Sequence, residues 1–486
     1  MDVPSFSATT GYVAIVAFTL AMVALSWWRS RRQPLGLSGF LVADRQVSTW
    51  SAALSIAGSW VWAPALFLSS QKAFQQGAAG LFWFTFANVL CLVVFAPLAV
   101  RIRRQLPQGY TLPELMRQRH GPAVHAAYLF QFFSLQVCSF AVQLVGGAAV
   151  FEQLTGVSFA VSAVLLTLGV VAYAWLGGMR ASVATDVVQA GLILIVCALV
   201  VPWSITAAGG FGVVIAGLAG ETGAFGNIFD PKVAYSFGII VSLGLLAGPI
   251  GDQQHWQRAF SVEESKVQRA FLLAAALFAV VPLTLGLLGF LGAGLVSQGM
   301  LTISDPQLVG PTVVSHLLPR AALGLFLVML LAGLTSTMDS ALVAASSLGA
   351  IDVVKLVLGR GRQLGSERLL IASRRTVLVV AAAGLAIALI PGLKILHLFL
   401  FYGTLRAGTM LPTVLTLLRR NINPRALLVA LVGGWLVGLP GFVYGSLVGN
   451  VHLKVASTVF VVLFSGLGTW LGSLGYREPA APAAGR

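Results

Sequence analysis

The chain breaks repeatedly into apolar runs of about 20 residues, the length of helix that spans the hydrocarbon core of a bilayer. Nothing constrains the fold more. In lipid the backbone N–H and C=O groups have no water to bond, so spanning segments must satisfy them internally, as helices do. Of the 486 residues 58% are hydrophobic and only 9% charged, with a mean hydropathy of +0.91, and no region has the balanced composition of a water-soluble domain. Cys91, Cys138 and Cys197 all lie inside apolar runs and point to neither a disulfide framework nor a metal cluster. The start, MDVP, lacks the basic opening of a signal peptide, so the first run is expected to stay as a membrane helix.

The runs predict an all-α membrane protein with about thirteen transmembrane helices, near 10–28, 48–69, 78–101, 123–149, 156–175, 181–204, 233–256, 268–296, 321–350, 370–390, 393–417, 426–447 and 455–474. With the N-terminus outside, 24 of the 30 Lys and Arg residues fall in cytoplasmic segments, 5 fall outside, and Arg406 is left within a span. That bias is the positive-inside rule, and it puts the C-terminal tail, 479–486, in the cytoplasm. The formal charge of +15 therefore sits in short loops beside helix ends and gives no reason to expect a nucleic-acid partner. The expected setting is a plasma membrane, as in the bacterial inner membrane.

Two spans are interrupted. The second carries AGS at 57–59 and then Pro64; the seventh carries AGPIG at 247–251. Glycine and proline at membrane depth free backbone groups, which is tolerated where protein or a water-filled cavity satisfies them. Spans 2–6 and 7–11 then form two five-helix halves, 48–205 and 232–418, each opening on an unwound helix. Five being odd, the halves have opposite orientation, the pattern of inverted-repeat transporters. Segment 331–347, LAGLTSTMDSALVAASS, places hydroxyls and one carboxylate inside another span. Gly333, Ser336, Thr337 and Ser340 share a face at i, i+3, i+4 and i+7. Such a strip either holds a small cation such as Na⁺ or packs helices together.

Four segments, in this order, resemble the sodium:solute symporter family: GFLVADR at 39–45 leading into SAALS at 51–55, YTLPEL at 110–115, LGGMRASVATDVVQ at 176–189, and 331–347. The likeness runs from about Gly39 to about Arg420. It implies the leucine-transporter fold, a 5+5 inverted-repeat core with one helix before it and two after it. It also implies Na⁺ as coupling ion between the first and eighth core helices, held by the carbonyls of Gly58, Val61 and Gly333 and the hydroxyls of Ser336 and Thr337. Asp186 matches an acidic residue proposed to guide the ion inward, and its alternative role is a hydrogen bond to a neighbouring helix.

The solute site implied by the resemblance lies beside the two breaks. There SWVWAP at 59–64 is aromatic and uncharged, so Trp60 and Trp62 favour a ligand with an apolar or flat portion. Gln136, Ser139 and Gln143 share a helix face and either bind a polar solute or join helices. After the second break, Asp252, Gln253 and Trp256 are candidates for solute contact or inner gating, and His255 for proton shuttling. Arg406 is costly in mid-membrane, ~2.5–3.5 kcal/mol or more on insertion scales, and needs a partner. A structural carboxylate, Asp339 or Asp252, and an anionic group on the solute are the two alternatives.

The leading expectation is a sodium-coupled symporter importing a small organic solute, with a proton-coupled version close behind. A sensory module of the same fold would carry an output domain, and none is expected after residue 478. A membrane enzyme would need a motif such as HExxH or a nucleophile with its base, and no such motif occurs. Composition leaves the oligomeric state open.

Overall fold

The computed structural model describes residues 6–31, 35–360, 364–393 and 395–477. The expected outer N-terminus and the tail 479–486 lie outside the described residues. Among the described residues the regular elements are helices, with one isolated parallel bridge between Val47 and Val262. Among the described residues ten helices are long and apolar enough to cross a membrane. Large side chains such as Leu20, Leu168, Val379 and Leu436 stay exposed on several of them, 61–71% for these four, forming the face a bilayer would cover.

Helix α1 (Ala8–Ser30) packs on the long helix α7 (Phe159–Ala207). The short α2 (Leu37–Val42) leads to α3 (Thr49–Trp60), capped by the Ser48 hydroxyl, which accepts from the Ser51 N–H at 3.2 Å. After two unwound residues α4 (Ala63–Gln105) begins with Pro64 in its first turn, where the missing N–H costs nothing. At 43 residues α4 would run ~65 Å if straight, twice the hydrocarbon thickness. Its backbone instead leaves the helix at Gln76 and Gly77. Helix α7 (Phe159–Ala207) does the same at Gly178. The thirteen expected ranges fall on these and the other helices, with 48–69 divided between α3 and α4, and 156–175 and 181–204 both on α7.

Between α4 and α7 come α5 (Leu112–His120) and α6 (Pro122–Thr155). The Thr111 hydroxyl caps α5 by accepting from the Glu114 N–H, while the Glu114 carboxylate accepts from the Tyr110 N–H. After α8 (Phe211–Ala216) and the turn α9 (Pro231–Val233), α10 (Ile239–Ile250) and α11 (Gln253–Ser261) form the second broken pair. Then follow α12 (Val267–Ser297), α13 (Val309–Leu317) and α14 (Arg320–Ser347), the last extended by an eleven-residue π-helix, Leu348–Leu358. Helices α15 (Ser366–Ala388), α16 (Ile395–Leu418), α17 (Pro424–Leu447) and α18 (Val451–Leu471) complete the bundle.

Both interruptions exist, the first a few residues beyond its glycine and the second opening at the last glycine of AGPIG. Gly58 is still helical and the unwound residues are Val61 and Trp62; Pro249 is inside α10 and the unwound residues are Gly251 and Asp252. Pro249 has no N–H to offer the preceding turn, and Asp252 restarts the chain as the cap of α11, accepting from the Gln254 N–H at 2.9 Å.

Candidate functional site

The two breaks meet across a cavity of about 40 Å³, lined from α3 and its break by Ser59, Trp60 and Trp62, and from α11 by Asp252, Gln254 and His255. Helix α6 contributes Ser139 and Gln143, α14 Thr337, and α16 Tyr402 and Arg406. The freed backbone groups are used. Ile250 O accepts from the Trp256 indole at 2.7 Å and Gly251 O from Gln131 at 2.9 Å. Ser59 O accepts from the Thr337 hydroxyl at 3.3 Å. Gly251 must lack a side chain, since a Cβ would sit 2.4 Å from the Arg406 Cγ crossing the break.

Asp252 and Arg406 bring opposite charges to this cavity. Gln136 and the Gln254 N–H both donate to Asp252 Oδ1, at 3.0 and 2.9 Å, and Oδ2 takes no part in either bond. Arg406 donates from Nη2 to Gly244 O at 2.9 Å and lies over the Tyr402 ring at 5.5 Å. Among the described residues no ion pair joins it to Asp252 or Asp339, so the structural-carboxylate expectation is corrected. Asp339 is instead held on α14 by the hydroxyls of Ser182, Thr185 and Ser340. Arg406 Nε, Trp60 Nε1 and both ring nitrogens of His255 are buried without a hydrogen-bond partner. An orphaned buried polar group costs ~1–3 kcal/mol, and four around one cavity call for a ligand.

Three expected contacts, Gln136, Gln253 and Trp256, are absent from the cavity wall. Gln253 bonds Tyr110 O and the Ser347 hydroxyl and accepts from the Leu112 N–H, tying α11 to α5 and α14. The Trp256 indole N–H is spent on Ile250 O, and its ring packs against Phe95. Gln136 lies behind Asp252, donating to its Oδ1 at 3.0 Å. Trp60, Trp62, Gln143, Asp252 and Arg406 do line the cavity, as do Leu245, Gln254 and Tyr402, which the sequence did not single out.

Beside the cavity, oxygens converge where α3 ends against α14. A Cβ on Gly333 would lie 3.3 Å from Val61 O, and one on Gly58 3.4 Å from the Ser336 hydroxyl oxygen. Thr337 Oγ1 lies 3.3 Å from both Ser59 O and Gly333 O. These are neutral hard donors on elements held close by small residues, a set that fits a small monovalent cation. The Ser336 hydroxyl donates to Asp186 Oδ1, leaving its lone pairs for such an ion. Asp186 also accepts from Ser55 and, at 2.8 Å, from Arg258, both partners of that ion pair being buried. Arg258 continues to the hydroxyls of Ser55 and Ser340. Asp186 thus carries an internal counter-ion that its motif did not announce.

One end of the bundle is open and the other closed. Trp62, Leu245 and Arg406 also line a vestibule of about 550 Å³ bordered by Lys72, Phe237 and Lys454. At the opposite end Gln257 donates to Leu41 O and Val343 O, and Arg45 to Phe260 O and Gly109 O. Arg119 holds the carbonyl ends of α16 through Thr416, Arg419 and Arg420.

The family model for the sodium:solute symporter family matches residues 40–434. The chain belongs to that family. Among its relatives in the family are the probable urea active transporter 1 of Schizosaccharomyces pombe, 26% identical over 89% of this chain and 69% of that one, and the rice urea-proton symporter DUR3, 27% identical over 90% and 65%. The sodium/pantothenate symporter of Haemophilus influenzae is 25% identical over 90% and 88%. The chain thus spans about two thirds of the urea transporters' length. A Na⁺-coupled sialic acid symporter in a substrate-bound outward-open state superposes with a TM-score of 0.79 at 16% identity, covering 95% of this chain and 97% of that one. The amino-acid complex of MhsT superposes at 0.51 and 15% identity, over 88% and 99%. The fold is that of the leucine transporter, and the protein is an integral membrane transporter of a symporter family.

Proposed function

We propose that this protein is a cation-coupled symporter that imports a small, uncharged, dipolar solute of the urea class by alternating access. The observation that carries the reading is the shared placement of Asp252 and Arg406 on one cavity of about 40 Å³. A water needs ~10–15 Å³ of such space, so the cavity takes a solute of a few heavy atoms. Two fixed opposite charges favour a molecule with an N–H end for the carboxylate and a carbonyl end for the guanidinium. A net anion would meet Asp252 and a net cation Arg406. Two of the three relatives above fit this frame, being named for urea, whereas pantothenate is too large for the cavity as it stands.

The coupling ion in this reading is Na⁺ at Gly58, Val61, Gly333, Ser336 and Thr337, with Asp186 beside it. The halves 48–205 and 232–418 are the two inverted repeats. Proton coupling is the second reading, favoured by the Arg258 cation that already neutralises Asp186 and by the name of the rice relative. The excess of arginine at the closed end supports a cytoplasmic assignment for it, and so an outward-facing vestibule. In proteoliposomes, a Na⁺ gradient should drive uptake of labelled urea, and Ser336→Ala with Thr337→Ala should raise the Na⁺ concentration for half-maximal uptake about tenfold or more. Uptake that ignores Na⁺ and follows a proton gradient selects the second reading; no urea uptake under either gradient defeats the solute assignment.

A further inference from the structure

Resting on the small-amide reading above, we propose that Trp60 and His255 form the hydrogen-bonding clamp that selects the solute, one ring from each broken helix. The indole and imidazole meet edge to face, with centroids 4.9 Å apart and planes at 87°. Both line the cavity, and they are 6% and 1% exposed. Trp60 Nε1 and His255 Nδ1 and Nε2 all lack partners, although polar groups beside them are bonded: Asp252 by Gln136, and Trp256 by Ile250 O. Three orphaned ring atoms on two touching rings are not a packing accident of one residue. They are a matched set.

The chemistry of the set is specific. Indole only donates, whereas neutral imidazole offers one N–H and one lone pair. With Arg406 Nε and Asp252 Oδ2 nearby on the same wall, the cavity presents donors to a carbonyl and acceptors to an amide N–H. A solute must supply both groups on a small planar frame, which describes ureas and primary amides. Acetone has the shape of urea and its carbonyl but no N–H, and so leaves the acceptors orphaned. Gly248 sets the position of the clamp, because a Cβ there would lie 2.5 Å from the Trp60 Cη2 atom.

The test is labelled-urea uptake into proteoliposomes by the full chain, with acetamide and acetone as competitors, beside thermal melts of the detergent-solubilised protein with and without urea. Trp60→Phe and His255→Phe, each keeping a ring of similar bulk, should raise KM about tenfold with maximal rate changed less than twofold, and should lose the urea-induced melt shift. His255→Gln, which restores a donor and an acceptor, should recover part of the affinity. Acetamide should compete and acetone should not. Wild-type urea uptake with both ring variants at unaltered KM overturns the clamp and leaves the small-amide reading standing. A wild type that carries neither urea nor acetamide overturns the reading and the clamp together.

Discussion

Arg258 sits in the tail of a polar heptad, DQQHWQR, that in sequence looks like the cytoplasmic end of a helix, and its charge counts naturally toward the inner side. In the structure it is buried against Asp186 and donates also to the hydroxyls of Ser55 and Ser340 and to Gln254 O. Removing one member of a buried pair leaves an uncompensated charge, at a cost on the order of 3–5 kcal/mol. Arg258→Met should therefore lower the melting temperature steeply, and Asp186→Asn with Arg258→Met should recover much of it; equal melts for the single and double variants would refute the coupling. The same residue shows the limit of reading a site from sequence. Ser336 and Thr337 were legible by their type and spacing, and Asp186 by the family resemblance. Arg258 was not, because an arginine near a helix end is the ordinary mark of a loop. The orphaned nitrogens of His255 and Trp60 are a property of what surrounds them, which no local pattern records.

At the scale of elements, glycine does two jobs that differ in visibility. Gly178 breaks α7 with φ +52°, and a Cβ there would lie 2.4 Å from Phe40 O. Both the dihedral and the approach exclude a side chain. Gly178→Ala should destabilise the fold and reduce the amount of protein reaching the membrane, while Gly191→Ala, where nothing lies within 4 Å, should be neutral in the same expression and melting assays. That reversal was legible, since an apolar stretch of twice the membrane thickness must turn and LGGMR is where its polarity changes. The unwound residues of the broken helices were legible only approximately. Glycines and Pro249 flag a weak helix, but where the chain lets go depends on tertiary partners: Thr337 holding Ser59 O, Trp256 holding Ile250 O, and Asp252 capping α11. Gln253 and Trp256 were candidates for solute contact or inner gating from their place in a polar run, and the register of α11 turns them away from the cavity, Gln253 to Tyr110 O and Ser347 and Trp256 to Ile250 O.

Taken whole, the molecule is asymmetric along its long direction, and that asymmetry predicts how it works. Gln76 borders the vestibule, while Arg104, 28 residues on, pairs with Glu264 at the far end, ~42 Å away at 1.5 Å per residue. Trp62, Leu245 and Arg406 line both vestibule and cavity, whereas several layers of hydrogen bonds seal the other end. With Cys91, Cys138 and Cys197 replaced, a cysteine at Ile240 in the vestibule should react with a membrane-impermeant maleimide applied outside. One at Gly109 in the sealed end should react only from inside. Saturating solute with its coupling ion should slow the first reaction and speed the second, because closing Trp62 and Leu245 over the cavity must precede release of the Gln253, Gln257 and Arg45 contacts if solute is not to leak. Labelling of Ile240→Cys from the cytoplasmic side alone would reverse the orientation drawn from the arginine bias. Rates that do not respond to solute at either position would reject alternating access about these two broken helices.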